Sequence, residues 1–379
     1  MNELEIIQLR LINQQLAASS FNTAKELIGW MGAMQAQDYN QAKWAVGVRL
    51  PHLTEEEIES SFNKGEILRT HLMRPTWHFV SADDIYWMLE LTAPQIKAAL
   101  NSRHRELELT ETVVRKSQKV MEKVLSSNHS MTREELLNEL QKSDIPTDLQ
   151  RASHFMLRAE IDGIICSGAT QGKKQTYALL SDRVPEKKTL LKEEALAKLT
   201  KKYFSSHGPA TISDFAWWSG LPIADARRGL EMNKPNLSSA TIGSATYWFA
   251  NTSALLHTLS DSVYLLPAFD EFLISYKNRS AVITAEDHKK AISDNGIFRP
   301  VVLVNGQISG LWKRTIKKDT VVIETDYFRP HNKTEERLIS NAADLFGSFS
   351  EKKAEIKFFG KPTGLQSVKK IHAFSCEDP

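Results

Sequence analysis

Three polar residues that could take part in catalysis stand close together near the N-terminus, in the stretch Gln35-Ala36-Gln37-Asp38. A glutamine side chain accepts hydrogen bonds through its oxygen and donates them through its NH2 group, so it can orient a water molecule, but it transfers protons poorly. The Asp38 carboxylate could serve as a base. These residues suit a reaction that needs a positioned water rather than a proton donor. The alternative is a solvated helix end without a chemical role.

The helix expected to carry these residues begins at Thr23. Thr23 and Glu26 have the spacing of a capping box, in which each side chain satisfies a backbone donor of the first turn. An apolar face follows, made of Leu27, Ile28, Trp30, Met31 and Met34. Residues two apart in a helix point about 200° apart, so Gln35 and Gln37 converge only if the helix ends or unwinds there. The dipeptide Tyr39-Asn40 favours such an ending.

Length and composition indicate a soluble globular protein of two to four domains, with 379 residues, 41% of them hydrophobic and 25% charged. Cys166 and Cys376 are the only cysteines, which excludes a zinc ribbon or an iron–sulfur cluster held by four cysteines and fits a reducing cytoplasm. The N-terminus is acidic and lacks a long apolar run, so we expect no signal peptide. No run of about 18 apolar residues predicts a membrane helix. We therefore expect a cytoplasmic protein.

Neither charge nor metal-ligand spacing identifies a ligand. The chain has 48 basic and 46 acidic residues, a formal net charge of +2, so a basic surface could arise only from local placement. The spacing of His71 and His78 is not that of a metal site, and no HExxH motif or cysteine cluster is present. We expect no metal and no other cofactor.

Helices followed by a hairpin recur along the chain. Four helical stretches precede the extended segment 67–80, where Arg74-Pro75 predicts a turn between two strands. This is the order of a winged-helix unit, whose hairpin is the wing, and it recurs twice. We therefore predict an α+β chain with three tandem winged-helix units. They are expected at residues 1–102, 103–190 and 191–260.

The remaining region, residues 261–379, is predicted to be β-rich. Asn305-Gly306 between two alternating apolar runs is typical of a two-residue hairpin. A helix over residues 334–349 should precede a last strand near residues 354–359. The pattern fits either an α+β cap or a small barrel.

Four segments together resemble the AlkZ-like and YcaQ-like winged-helix DNA glycosylases, and the resemblance covers essentially the whole chain. They are MQAQDYNQAKWAVGVR (34–49), LMRPTWHFV (72–80), LLPAFDEFLISYKNR (265–279) and VVLVNGQISGLWKR (301–314). The family pattern is Gln–aliphatic–Gln, or Gln–aliphatic–Asp in the YcaQ-like branch; here the middle residue is the small Ala36. The resemblance implies three winged-helix motifs that form a C-shaped DNA-binding surface. It also implies hydrolysis of the N-glycosidic bond of alkylated purines, with unhooking of interstrand crosslinks in some members.

By this match, Gln35 and Gln37 are the expected catalytic residues. Glycosidic cleavage ordinarily uses two carboxyl groups, one of which protonates the leaving group, and two glutamines cannot replace them. A purine alkylated at N7 or N3 already carries a positive charge, so its departure needs no acid. We expect Gln37 to orient the attacking water and Gln35 to fix Gln37 and the DNA backbone, with Asp38 as an alternative base.

Seven further residues are candidates for contact with DNA. The predicted first wing carries four of them, His71, Arg74, Thr76 and His78. This wing would line the same cleft as Gln37. Alternatively, the two histidines are partly buried imidazoles with satisfied hydrogen bonds and the arginine is a solvent-facing turn residue. The family-like segments add three candidates for phosphate neutralisation, Arg279, Lys313 and Arg314.

Two acids and three tryptophans admit structural or functional roles. Asp270 is either a catalytic acid or a structural partner of Arg279 or Lys277, and for Glu271 the structural role is favoured. The tryptophans are expected in the core, with stacking on DNA as the alternative; they are Trp44, Trp217 and Trp218.

The expected partner is double-stranded DNA with alkylated bases. We expect a monomer, because three fused units already form a cradle, whereas winged-helix regulators usually dimerise. Two alternatives stay open, a non-catalytic DNA-binding protein of the regulator type and a scaffold for protein partners. The preferred lesion, the acceptance of crosslinks, base flipping and a lyase step also stay open.

Overall fold

The computed structural model describes residues 1–250 and 261–359. The predicted α+β class is confirmed: helices and antiparallel strands alternate through the first two thirds of the chain, after an N-terminal helix α1 (Glu3–Asn13). Cys376 and parts of the predicted regions 191–260 and 261–379 lie outside the described residues.

The first unit after α1 contains three helices and a three-stranded sheet. Its elements are α2 (Ala24–Met31), β1 (Met34–Gln35), α3 (Tyr39–Gly47), α4 (Glu55–Asn63), β2 (Ile67–Leu72) and β3 (Thr76–Ser81). The strand order is β1-β3-β2, and both pairs are antiparallel. The predicted hairpin with a turn at Arg74-Pro75 is confirmed.

Two further segments repeat the order of helix, short strand, two helices and hairpin. After the connecting helix α5 (Ile85–Glu106), the second contains α6 (Glu111–Asn128), β4 (Met131–Thr132), α7 (Arg133–Lys142), α8 (Arg151–Ile161), β5 (Ile165–Ser167) and β6 (Thr176–Leu179). After the short helix α9 (Leu180–Arg183), the third contains α10 (Lys192–Ser206), α11 (Ile212–Ser219), α12 (Ile223–Asn233), β7 (Leu237–Ile242) and β8 (Ala245–Ala250). In this third segment, the single β-bridge between Ala210 and Trp248 takes the place of the short strand.

The C-terminal region is a five-stranded sheet with helices. Its elements are β9 (Val263–Leu266), α13 (Glu271–Ile274), α14 (Ala285–Ala291), β10 (Val301–Val304), β11 (Gln307–Ile316), β12 (Thr320–Tyr327), α15 (Lys333–Phe349) and β13 (Lys353–Phe359). The strand order β13-β12-β11-β10-β9 leaves two edges, so among the described residues it is an α+β cap rather than a closed barrel. The predicted Asn305-Gly306 hairpin is confirmed, and both residues have the positive φ angles that such a turn requires.

The first unit and the C-terminal sheet share one hydrophobic core. The Trp44 ring of α3 lies 4.8 Å from the Phe346 ring and 5.0 Å from the Phe349 ring of α15, measured between centroids. Its indole N–H donates to the Leu265 carbonyl of β9 at 2.6 Å. A Cβ on Gly47 would lie 2.5 Å from the Phe349 ring, so this helix contact requires glycine. This core contains residues of both the first and the last predicted regions, so it does not separate them into domains. The predicted domain boundaries therefore stay a prediction.

Candidate active site

We predicted that the Gln35–Gln37 segment lies at the end of a helix, and this prediction was wrong. Helix α2 already ends at Met31, because Gly32 has a φ of +80°, and Gln35 belongs to strand β1. Asp38 is the N-cap of helix α3, and its Oδ1 accepts a hydrogen bond from the Gln41 N–H at 3.0 Å. Tyr39-Asn40 therefore begin the next helix instead of ending the first. Gly32 and the cap spacing of Asp38 were the signals in the sequence.

The backbone of this segment is held from two sides. The Gln35 N–H donates to Glu271 Oε1 at 2.6 Å, and the Ala36 N–H donates to a carbonyl of β3 at 2.7 Å. From strand β2, the Arg69 guanidinium donates to the Ala36 carbonyl at 2.8 Å and to the Gln37 carbonyl at 3.2 Å. These bonds fix the segment before any substrate arrives, as catalytic positioning requires.

The two glutamine side chains differ in burial and in partners. Gln35 is 6% exposed, and its Oε1 accepts a hydrogen bond from Arg74 Nη2 at 2.9 Å. A guanidinium only donates, so the oxygen of Gln35 must face Arg74, and its NH2 group faces away from Arg74. Gln37 is exposed, and its amide makes no hydrogen bond to any described residue. The Gln37 amide is thus open to water and substrate.

Glu271 anchors the segment from within the core. It is buried, and its carboxylate accepts hydrogen bonds from the Trp218 indole at 3.1 Å and from the Ser275 hydroxyl. Burial opposes its charged form, but the nearby His207 imidazole, the Ser275 hydroxyl and the Gln35 N–H outweigh burial and hold the pKa of Glu271 below its ordinary value. Glu271 is therefore an ionised anchor, which confirms the structural role that we favoured.

Four arginines surround the segment: Arg69, Arg74, Arg279 and Arg314. The last two belong to the C-terminal region and were predicted to contact DNA. Arg279 stacks 5.6 Å from the centroid of the Trp217 ring, over which Arg74 also lies at 5.4 Å. On β11, burial lowers the pKa of Arg314, and the Asp38 carboxylate opposes this shift, so Arg314 lies within electrostatic reach of the segment. None of the four forms an ion pair with a described carboxylate.

Lys313 and His71 lie on the other faces of their sheets. Neighbouring residues of a strand point to opposite faces, and Lys313 pairs with Glu324 at 3.3 Å while Arg314 stacks on Phe346. His71 is buried and bonds through Nδ1 to Glu160, and its ring lies 4.4 Å from the Trp77 ring, tilted by 42°. The structure therefore favours the satisfied-imidazole alternative for His71.

His78 and Thr76 lie on the face of the first hairpin that Gln35 shares. Gln35 pairs directly with His78 across β1 and β3, and residue 76 is two positions away. His78 is fully buried, and its Nδ1 bonds to the Thr76 carbonyl at 2.9 Å. Neither His78 Nε2 nor Thr76 Oγ1 has a hydrogen-bond partner among the described residues. His78 is thus buried beside Gln35 rather than on an open DNA-binding surface, and Thr76 is half-buried on the same face.

The burial of His78 predicts a stability loss in acid. Burial, aided by the charge of Arg74, lowers the pKa of His78 from 6.5 to about 4. Below pH 6.5 His78 binds a proton in the unfolded chain but stays neutral in the folded chain. The free energy of unfolding therefore falls as the pH drops from 6.5 towards 4, by at most about 3 kcal/mol. Urea unfolding at pH 7 and pH 4.5 should therefore show a smaller acid loss for His78→Gln than for the wild type. Equal losses in both proteins would contradict this assignment.

The contacts of Asp270 favour its structural alternative over a catalytic one. Its carboxylate makes a bidentate ion pair with Arg49 at 2.8 and 2.9 Å, and both side chains are at most 1% exposed. One oxygen also accepts the Phe272 N–H at the start of α13. The predicted partners Arg279 and Lys277 were wrong, because the carboxylate points into the core.

Two residues of the site were missed or misjudged from the sequence. Arg69 holds two carbonyls of the segment, and it is the one residue of the otherwise buried strand β2 that is only partly buried. Trp44 and Trp218 are buried as predicted, but Trp217 is 40% exposed between Arg74 and Arg279. Adjacent helix residues face different directions, which is the signal that Trp217 and Trp218 could not both be core residues.

Two features are absent from residues 1–250 and 261–359. No group of three or more histidine, cysteine, aspartate or glutamate side chains there could hold a metal ion. No helix in the same ranges is long and apolar enough to cross a membrane.

Known proteins resemble this chain in sequence and in fold. The family model described as "DNA glycosylase AlkZ-like" matches residues 28–349. The "interstrand DNA cross-link repair glycosylase" of Streptomyces sahachiroi is 23% identical over 338 residues, which cover 82% of this chain and 87% of that protein. The solved structure of Streptomyces sahachiroi DNA glycosylase AlkZ has a TM-score of 0.80 at 19% identity, covering 94% of this chain and 99% of that one, so the two share a fold. Because the family match spans most of its length, the chain belongs to the AlkZ-like family and is a DNA glycosylase.

Proposed function

We propose that this glycosylase hydrolyses the N-glycosidic bond of cationic alkylated purines. In this proposal Gln37 orients the attacking water, and Gln35 supports Gln37 and the DNA backbone. The interstrand DNA cross-link repair glycosylase among its relatives supports extending the substrates to crosslinked purines. Membership of a glycosylase family disfavours the two non-catalytic alternatives.

The observation that carries this proposal is the lack of a proton donor beside Gln37 among the described residues. Glu271 is ionised and buried, and Asp270 is bound to Arg49. Asp38 caps helix α3, where its Oδ1 accepts a hydrogen bond from the Gln41 N–H. A neutral base would have to leave without protonation, whereas a purine alkylated at N7 leaves as a neutral molecule. The site therefore suits a substrate that carries its own positive charge.

We assign different roles to the two glutamines because their hydrogen bonds differ. Gln37 has an uncommitted amide that can accept from the water and stabilise an oxocarbenium-like sugar. Gln35 has its oxygen fixed by Arg74, so its remaining function is to donate, to Gln37 or to a phosphate oxygen. Asp38 stays the alternative base, since its second oxygen is not needed by the cap.

The architecture that we propose for DNA binding is three tandem winged-helix units, residues 1–102, 103–190 and 191–260, followed by the C-terminal region 261–379. The recurring order of elements supports the units, and the likeness to the AlkZ structure supports a C-shaped surface. We propose that a monomer binds double-stranded DNA in the cytoplasm. Arg74, Arg279 and Arg314 are the proposed phosphate contacts nearest Gln37, and Lys313 is a proposed contact on the opposite face of β11.

The choice of lesion tests this proposal. The wild-type protein should release N7-methylguanine from a duplex but release a neutral purine lesion such as hypoxanthine at least about 10²-fold more slowly, because general acid catalysis is commonly worth 10²–10⁴-fold. Single-turnover rates on matched duplexes measure this difference.

The pH dependence provides a control for the same experiment. Since no acid takes part, N7-methylguanine release should not fall between pH 6 and pH 8. Comparable rates on both lesions, or a loss of rate as the pH rises through this range, would show that a proton donor operates and would refute the proposal.

A further inference from the structure

Three elements meet at the exposed ring of Trp217. The turn of the first hairpin contributes Arg74, whose Cζ lies 5.4 Å from the ring centroid, and the loop after α13 contributes Arg279 at 5.6 Å. The indole N–H donates to the Ile274 carbonyl at 2.9 Å, which fixes the ring. Behind the turn, a Cβ on Gly220 would lie 2.7 Å from the Met73 carbonyl, so α11 and the hairpin touch directly.

The two guanidiniums are only partly satisfied. Arg74 donates to Gln35 and Arg279 donates to the Leu273 carbonyl at 2.8 Å. Arg74 Nε and Arg279 Nη2 are buried and have no hydrogen-bond partner among the described residues. Burial, and then the charge of Arg74, lower the pKa of Arg279 to about 10, so the two cations lie within each other's field and both stay charged at neutral pH.

The acids that surround this pair are committed elsewhere. Asp214 accepts the Lys277 N–H at 2.8 Å through one oxygen and the Thr211 N–H at 2.9 Å through the other. Glu271 is held by Trp218, Ser275 and the Gln35 N–H. Glu271 and Asp214 act on Arg74 and Arg279 only from a distance, without forming ion pairs. Two desolvated like charges that form no ion pair are costly, and an anion that accepts from both guanidiniums would offset this cost.

We propose that Arg74, Arg279 and Trp217 form a clamp for one phosphodiester group of the lesion-bearing strand. This inference rests on the proposed function and names the group by which the site holds its substrate. Arg74 bonds to Gln35 with the same guanidinium, and charge-assisted bonds to phosphate are about 2.8 Å long. The clamped phosphate therefore belongs to a linkage that flanks the damaged nucleotide.

Removal of single phosphate charges tests the clamp. The probe is a duplex with an uncleavable tetrahydrofuran abasic analogue at the lesion position and one methylphosphonate, placed in turn at each nearby linkage. For the wild type, one flanking methylphosphonate should weaken binding about tenfold, as the loss of a charge-assisted hydrogen bond does. For Arg279→Gln, in which only Arg74 remains to hold the phosphate, the same methylphosphonate should cost less than it does for the wild type, and the slope of log affinity against log salt should fall by up to about 0.9.

Four further variants keep the test interpretable. Arg279→Lys retains the charge and should keep the salt slope, while losing part of the selectivity for that linkage. Trp217→Phe should behave like the wild type, whereas Trp217→Ala should reduce the selectivity. Arg329→Gln removes a guanidinium that already pairs with Glu335 at 2.8 Å and should change neither quantity.

Equal methylphosphonate costs in the wild type and Arg279→Gln at every linkage, with an unchanged salt slope, would overturn the clamp. Release of N7-methylguanine is measured on the same preparations. A wild type that releases this base but shows no difference between linkages refutes the clamp and leaves the proposed function intact. A wild type that shows the difference but does not release the base supports the clamp and refutes the proposed chemistry.

Discussion

Gln37→Ala and Gln35→Ala should each slow the release of N7-methylguanine by about 10²-fold or more while leaving DNA affinity within about twofold. Each substitution removes a group that positions water or stabilises the developing sugar cation, and losses of this size are typical of such groups. The backbone should stay in place, because Glu271 and Arg69 hold main-chain atoms of the segment and not its side chains. Single-turnover rates and binding to the uncleavable duplex measure the two quantities.

Asp38→Asn is the matched control for these variants. Asparagine caps helices as well as aspartate does, so Asp38→Asn removes the charge without removing the cap. It should keep most of the activity if Gln37 orients the water. Full activity in the double variant Gln35→Ala/Gln37→Ala would end the assignment of the glutamines, and a large loss in Asp38→Asn alone would make Asp38 the base.

Asp270→Ala should lower the free energy of unfolding by about 3–5 kcal/mol. The substitution leaves the Arg49 guanidinium buried without its counter-charge, which is among the most destabilising single changes in a protein. At a temperature where the variant is still folded, its base release should be close to that of the wild type. Urea unfolding and single-turnover rates on the same preparation measure the two effects.

Glu106→Ala is the control for Asp270→Ala. It removes a carboxylate that also pairs with an arginine, Arg103, at 2.7 Å, but on the surface, and should therefore cost no more than about 1 kcal/mol. If Asp270→Ala instead left stability unchanged and abolished base release, Asp270 would be a catalytic acid and its structural assignment would be wrong.

Features encoded by neighbouring residues could be predicted from the sequence. The capping boxes that begin at Thr23, Thr54 and Thr132 are all present, because their partners lie three residues away. The Asn305-Gly306 hairpin forms because few other dipeptides tolerate two positive φ angles. The carboxyl end of α2 was also encoded locally, by Gly32, but the apolar Met34 made the helix look longer than it is.

Features that depend on distant residues could not be predicted. The partner of Asp270 is 221 positions away, and nothing near either residue indicates the pair. His71 and His78 of the first hairpin were both predicted to contact DNA. The register, however, pairs His71 with Trp77 and Thr70 with His78, so the two imidazoles face opposite sides of the sheet. Strand register is set by the whole fold, and a shift of one residue exchanges the two faces.

The hydrogen bond from the Gln35 N–H to Glu271 joins residues 236 positions apart. During synthesis the ribosome therefore completes the glutamine motif long before it adds the carboxylate that fixes the motif. A nascent chain that has emerged only as far as the third repeat carries both amides but not their anchor. Competence for base excision should accordingly appear late in translation, when the C-terminal sheet docks on the first unit.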